Sequence, residues 1–374
     1  MEREKNIKMN PASRSISRRL LRNKGALFGL VVIALAVVVA ITAYLVAPDG
    51  TPDANRMVVE IGGRKPGFRQ LFLLIKKEQQ PERVSFFRRL VSGREDVYSW
   101  VPISSYVVKG DSLVVEKYVD EGLRARMCFY VGGSNDAKHE VWDGGRYRIE
   151  TKQFALGTDK YGRDIVSRLL VGIRVSLAVG MVTVIISLSL GVLMGALAGY
   201  FKGRVDDAIM WLINVIWSIP TLLLVFAITL MLGKGFWQVF VAIGLTLWVN
   251  VARIIRGQVL GVREREFVEA ARALGYSNSR ILFVHILPNV MGPVWVVAAS
   301  NFASAIVIEA GLSFLGVGVQ PPQPSWGLMI KENYNFIITH NPALALAPGI
   351  AIMVLVLAFN LLGNGLRDAL NVRV

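Results

Sequence analysis

EFVEAARALGYSNSRILFVHILPN, residues 266–289, is a charged, helix-forming stretch set between long apolar runs. Phe267, Ala271 and Leu274 fall at i, i+4 and i+7, which predicts one apolar helical face, and Gly275 stands where a helix ends in a left-handed residue. Ser277 or Asn278 caps a second helix carrying Ile281, Leu282 and His285, and Pro288 breaks or restarts the chain as the next apolar run begins. This is a helix-turn-helix between two spans. Ala270 and Ala271 leave room for close approach by another protein, and Glu269 with the neighbouring arginines can orient that contact. An ordinary amphipathic connector would have the same periodicity.

Outward from this stretch the chain is apolar. Residues 236–255 and 290–308 flank it, and residues 25–47, 173–200, 208–232 and 343–362 complete a set of six runs long enough for ~30 Å of hydrocarbon. A chain of 374 residues that is 53% hydrophobic reads as polytopic in the membrane. The net charge of +15 sits largely in short segments beside the runs, so it reports topology and not nucleic-acid binding. Residues 1–24, the basic loop around 257–289 and the Arg367/Arg373 tail are separated by even numbers of spans and share one side, the cytoplasm. Residues 25–47 exceed a signal-peptide core and lack a small-residue cleavage site, which predicts a retained anchor.

Residues 48–154 interrupt the apolar pattern with about a hundred mixed, charged residues. Residues 97–108, 113–119 and 123–131 alternate like strands, Lys109-Gly110-Asp111-Ser112 makes a turn, and residues 71–75 are too short to cross a bilayer. The expectation is an extracytoplasmic α+β domain with an antiparallel meander. It holds no His/Asp/Glu constellation with catalytic or metal-ligand spacing. The single cysteine, Cys128, excludes an intramolecular disulfide and a cysteine-based zinc cluster.

The spacing Glu269-Ala270-Ala271, three residues, Gly275, then Leu287-Pro288 resembles the EAA loop of ABC importer permeases. Two further stretches, LGTDKYGRDIVSRLLVGIRVSL at 156–177 and EAGLSFLGVGVQPPQPSWGLMI at 309–330, resemble the oligopeptide/dipeptide/nickel permeases, and specifically the subunit type that pairs with a second, different permease. The tail GNGLRDALNVR departs from the family's usual GDG and Asp-Pro-Arg, and the 48–154 insertion is larger than usual.

The resemblance implies the six-helix type I importer permease fold in residues 155–374 plus the first span, with the EAA loop at 257–289 docking on the ATP-hydrolysing subunit through Glu269, Ala270, Ala271, Gly275, Leu287 and Pro288. It also implies a bacterial inner-membrane complex of two permeases, two ATPases and an extracytoplasmic binding protein. A di- or oligopeptide is the leading substrate, with nickel chelates and other small solutes behind it. No Gly-x-x-x-x-Gly-Lys-Ser/Thr loop occurs, so the chain lacks the nucleotide cradle, is not itself an enzyme and calls for no cofactor. A membrane-anchored sensor or scaffold is the reading from a different class, and it would not need the EAA loop.

Inside the runs, polar features are sparse. Asn214, Ser218 and Pro220 mark a kink that lines a pathway or serves packing. Glu309, a carboxylate at the end of an apolar run, is expected either to line the pathway or to form a structural ion pair. Gly191, Gly195 and Gly199 recur every four residues and predict close helix contact. In residues 156–177, Ile165, Leu169 and Ile173 lie on one helical face against Arg163, Arg168 and Arg174, the pattern of an interfacial helix.

Overall fold

The computed structural model describes residues 11–370 except 83, 110, 111, 121, 131–140, 143–146, 234, 339 and 340. The Gly110-Asp111 turn, Val131, Arg373 and the first ten residues therefore lie outside the described residues. The chain forms two compact units, one from residues 38–175 and 321–350, the other from residues 1–37, 176–320 and 351–374.

The chain begins with α1 (Pro11–Arg22) and α2 (Lys24–Val46), the latter the first apolar run. The insertion then folds as β1 (Phe68–Lys76), α3 (Phe86–Ser92), β2 (Tyr98–Lys109), β3 (Ser112–Asp120), β4 (Leu123–Tyr130), β5 (Val141–Trp142) and β6 (Tyr147–Phe154). All the strand pairs are antiparallel, in the order β4-β3-β2-β1-β6-β5. The expected meander is β2-β3-β4. The short apolar run at 71–75 is central strand β1, and it reads as continuously apolar because both its faces are covered. Leu73 packs with Ile103, Leu113, Val115 and Tyr147 on one face, while Phe72 and Leu74 pack with Val58, Ile61 and Phe154 on the other.

The remaining elements are helical: α4 (Ile165–Phe201), α5 (Gly203–Trp217), α6 (Thr221–Leu232), α7 (Phe236–Arg263), α8 (Glu266–Ala273), α9 (Asn278–Arg280), a π-helical turn (Ile281–Ile286), α10 (Leu287–Leu315), α11 (Trp326–Asn333) and α12 (Ala343–Leu370). Among the described residues five helices are long and apolar enough to span, and the pair α5 and α6, bent by 93°, makes a sixth when counted as one broken span. The span expected at 208–232 is thus broken. Pro220 supplies no N–H and disfavours helical backbone at Ile219, so the break falls at residues 218–220.

Helix α7 lies inside the second unit, with 67% of its most apolar window buried against 22% for α2. The glycine face of α4 is the reason α7 can come so close. A Cβ at Gly191 would meet Trp248 O at 2.7 Å, one at Gly195 would meet Ala252 O at 2.4 Å, and one at Gly199 would meet Arg256 O at 2.8 Å. The predicted small-residue contact is therefore a backbone-to-backbone helix pair.

The interfacial helix expected at 156–177 is corrected by the fold. Residues 156–164 form a turn closed by the Thr158–Asp164 bridge, and the helix starts at Ile165 and continues into the span without interruption. Asp164 caps it, its carboxylate accepting from Ser167 N at 3.0 Å. Arg163 and Arg168 do not face water. Both are buried, Arg163 donating to Asp159 at 2.6 Å and to Glu332 at 2.7 Å, with Arg168 3.5 Å from Glu332. Their charge is balanced within the protein by Asp159 and Glu332.

Candidate functional site: the loop between α7 and α10

Residues 264–286 build a rigid elbow between two spans. Helix α8 ends in a Schellman motif: Tyr276 N donates to Ala271 O at 3.2 Å and Gly275 N to Arg272 O at 3.0 Å, with Gly275 at φ +76°. The expected left-handed cap is therefore present. Ser277 then caps α9, accepting from Arg280 N at 3.4 Å, and Tyr200 at the end of α4 donates to Asn278 Oδ1 at 2.7 Å. Tyr276 is sandwiched, stacking on His285 at 5.6 Å with the Arg280 guanidinium 4.2 Å over its ring.

Pro288 stands where the next apolar run restarts the α-helix: it occupies the first turn of α10, and the turn before it is a π-helix that leads into α10 without a gap. Asn289 donates from its side chain to the His285 carbonyl at 2.7 Å, within the turn that Pro288 loosens.

The face that α8 buries differs from the one expected. Val268 and Ala271, three apart, are buried against Ile281, Leu282, Ile286 and Val259, whereas Phe267 is 45% exposed and Leu274 is 72% exposed. Small residues face inward because the elbow packs tightly on α7 and α10. Phe267, Ala270 and Leu274, at i, i+3 and i+7, form a separate ridge that no part of this chain covers among the described residues. Glu266 and Glu269 lie in the first turn, where the helix dipole favours them, and both are exposed. Beside the ridge is an open depression of about 780 Å³ lined by Val262, Glu264, Arg265, Glu266, Phe267 and Asn289. Lys202, between α4 and α5, pairs with Glu264 at 3.0 Å on its edge.

Glu269, Ala270, Ala271 and Gly275 are thus gathered on or beside α8, with Leu287 and Pro288 at the start of α10. Asn214, Ser218 and Pro220 are elsewhere, together at the exposed bend between α5 and α6. Composition gave no sign of the residues that join them there: Trp217 donates to Asn250 Oδ1 at 3.1 Å, and Arg253 lies 3.8 Å over the Trp217 ring. Glu309 is not with them. It is fully buried on α10 and accepts from Ser313 Oγ at 2.6 Å, and Ser313 Oγ in turn accepts from Val319 N at 3.0 Å, fixing the turn after the helix. Arg256 grips Asp206 with two hydrogen bonds of 2.5 and 2.6 Å, holding the first turn of α5 against α7.

Known proteins share this chain's sequence in two stretches. A family described as the binding-protein-dependent transport system inner membrane component matches residues 191–374, and one described as the N-terminal TM domain of oligopeptide transport permease C matches residues 13–58. The chain is 39% identical over 221 residues to the oligopeptide transport system permease protein OppC of Bacillus subtilis, covering 59% of this chain and 72% of that protein. It is 43% identical over 219 residues to the di/tripeptide transport system permease protein DppC of Pseudomonas aeruginosa, covering 59% and 72%. To the glutathione transport system permease protein GsiD of Pectobacterium atrosepticum it is 41% identical over 216 residues, covering 58% and 71%.

Proposed function

We propose that this chain, which belongs to the family of inner-membrane permeases of binding-protein-dependent transport systems, carries peptides of di- to oligopeptide size through the bacterial inner membrane. The chain is the permease and not an enzyme; ATP is hydrolysed by a partner subunit. Support for a peptide substrate comes from relatives named for oligopeptides, di/tripeptides and glutathione.

The observation that carries the coupling role is the exposed Phe267–Ala270–Leu274 ridge on a helix closed by a Schellman cap between two spans. Apolar side chains kept out of a well-packed elbow have no use in water, and the adjoining depression gives a groove-bearing or finger-bearing partner a complementary surface. In this reading the ridge docks on the ATPase, and α8 passes its movement to α7 and α10 through Val268 and Ala271. The complete assembly is two different permeases, two ATPases and an extracytoplasmic binding protein, with both termini of this chain in the cytoplasm and the insertion outside. Asn214, Ser218 and the backbone freed at Pro220 line the pathway from the bend, with Asn250 across from them. Glu309 holds the turn that ends α10.

Uptake by the intact complex in proteoliposomes, supplied with its binding protein, tests this. ATP-dependent accumulation of a labelled tripeptide that unlabelled peptides suppress is the expected result. Accumulation of a nickel chelate that peptides leave unchanged would overturn the substrate assignment.

A further inference from the structure

Helix α3, FFRRLVS, gathers three exposed apolar side chains within two turns: Phe86 is 63% exposed, Phe87 77% and Val91 62%. The two rings touch edge to face at 5.9 Å, so they form one aromatic tip. The helix is firmly held at its other end. Arg174 of α4 donates to the Leu90 and Val91 carbonyls at 3.3 and 2.9 Å, and its guanidinium lies 4.9 Å over the ring of Tyr44 near the end of α2. Gly93, at φ +76°, brings the chain so close to α2 that a Cβ there would lie 2.8 Å from Gly50 O and 3.0 Å from the Tyr44 ring, and Arg94 N donates to Gly50 O at 2.9 Å.

These attachments set the height of α3 relative to a bilayer. Helix α2 has 23 residues, about 35 Å at 1.5 Å per residue, so it just fills ~30 Å of hydrocarbon and Tyr44 and Val46 stand at the boundary, where tyrosine is favoured. Helix α4 has 37 residues, about 55 Å, and must project beyond the hydrocarbon by roughly 25 Å. Arg168 and Arg174 assign that projection to its first turns. Tyr44 thus puts the held end of α3 at the membrane surface, and Arg174 lies about 10 Å beyond the hydrocarbon edge on the same side. The exposed side of α2 includes Val38, Ile41 and Val46, and exposed Arg88 and Arg89 of α3 suit headgroup phosphates.

We propose that α3 is a lipid anchor of the insertion, with Phe86, Phe87 and Val91 sunk into the headgroup–acyl boundary beside the ends of α2 and α4. The proposal rests on α2 and α4 being spans and is independent of what the permease carries.

The test uses the full chain in nanodiscs of phosphatidylethanolamine and phosphatidylglycerol, with Cys128→Ser as background and an environment-sensitive fluorophore on Phe87→Cys or, separately, on Val91→Cys. Arg126→Cys, on exposed strand β4, is the solvated control. The expected result at both α3 sites is blue-shifted emission and about twofold or greater quenching by shallow doxyl-labelled lipid over the control, with protection from iodide. Quenching by iodide alone would overturn the proposal in favour of a solvated helix. Protection from both quenchers would overturn it in favour of a protein cover, such as a second permease subunit.

Discussion

Arg163 and Glu332, 169 positions apart in sequence, meet at 2.7 Å with side chains 1% and 8% exposed. The contact ties the turn ahead of α4 to α11, and Asp159 and Arg168 complete a buried cluster of two cations and two anions. Charges removed from water are tolerated only while each keeps its partners, so the cluster specifies where α4 begins and where α11 docks.

Breaking it should be severe. Glu332→Met is expected to lower the stability of the purified protein by about 3–5 kcal/mol, because it leaves the two buried guanidinium groups of Arg163 and Arg168 with Asp159 alone as counter-charge in the cluster. In Arg163→Met/Glu332→Met the loss should be smaller than the sum of the two single losses, read as denaturation midpoints in detergent. Additive losses would mean that the pair is not coupled.

At Gly275 the left-handed backbone alone forbids a side chain, since a Cβ would meet nothing within 4 Å. Gly275→Ala should cost about 1–2 kcal/mol of local strain and Gly275→Asn less, while Gly275→Val is strained most. The order of retained substrate-stimulated ATPase activity is expected to be Gly, Asn, Ala, Val, with membrane insertion unchanged. Equal coupling in all four would remove the cap from the account.

Two glycines of one helix pair should respond oppositely. Gly195→Ala drives a methyl onto the Ala252 carbonyl and is expected to cost about 1–3 kcal/mol. Gly257 in α7 has open space around it, and Gly257→Ala should be neutral or stabilising by up to about 1 kcal/mol. Thermal unfolding of the two variants side by side reads the difference.

The insertion should carry a pH signature at Lys152 in β6. Burial pushes its ammonium below the usual lysine range, and the neighbouring Arg56 charge adds to this. The unfolded chain therefore binds a proton more readily than the folded one in the interval between the lowered value and the ordinary one near 10.5, and stability gains with rising pH across that interval. Lys152→Met should flatten this alkaline gain and stabilise the domain at neutral pH. An unchanged slope of denaturation midpoint against pH would contradict the assignment.

Much of this architecture was legible because it repeats. The spans follow from apolar length, the meander from alternation in residues 98–130, the glycine face of α4 from its period of four, and the α8 cap from Gly275. What stayed hidden depends on distant partners. Arg163 and Arg168 look solvated until Asp159 and Glu332 are brought to them, and an apolar helix face gives no sign of whether it packs inward or waits for another protein. For that reason Phe267 and Leu274 read as core while Val268 was passed over. The 93° bend between α5 and α6 was signalled by Pro220, but its size was not. Asn250 joined the bend only through Trp217.

The central claim is that the Phe267–Ala270–Leu274 ridge is where the ATP-hydrolysing partner docks. Its most direct test is a photo-crosslinking amino acid placed singly at Phe267 or Leu274 in the assembled complex, with exposed Phe283 on the π-helical turn as the comparison site. The account predicts an adduct with the ATPase subunit from both ridge positions, stronger than any from Phe283. A complex that retains its ATPase and yields no such adduct from Phe267 or Leu274 would contradict it.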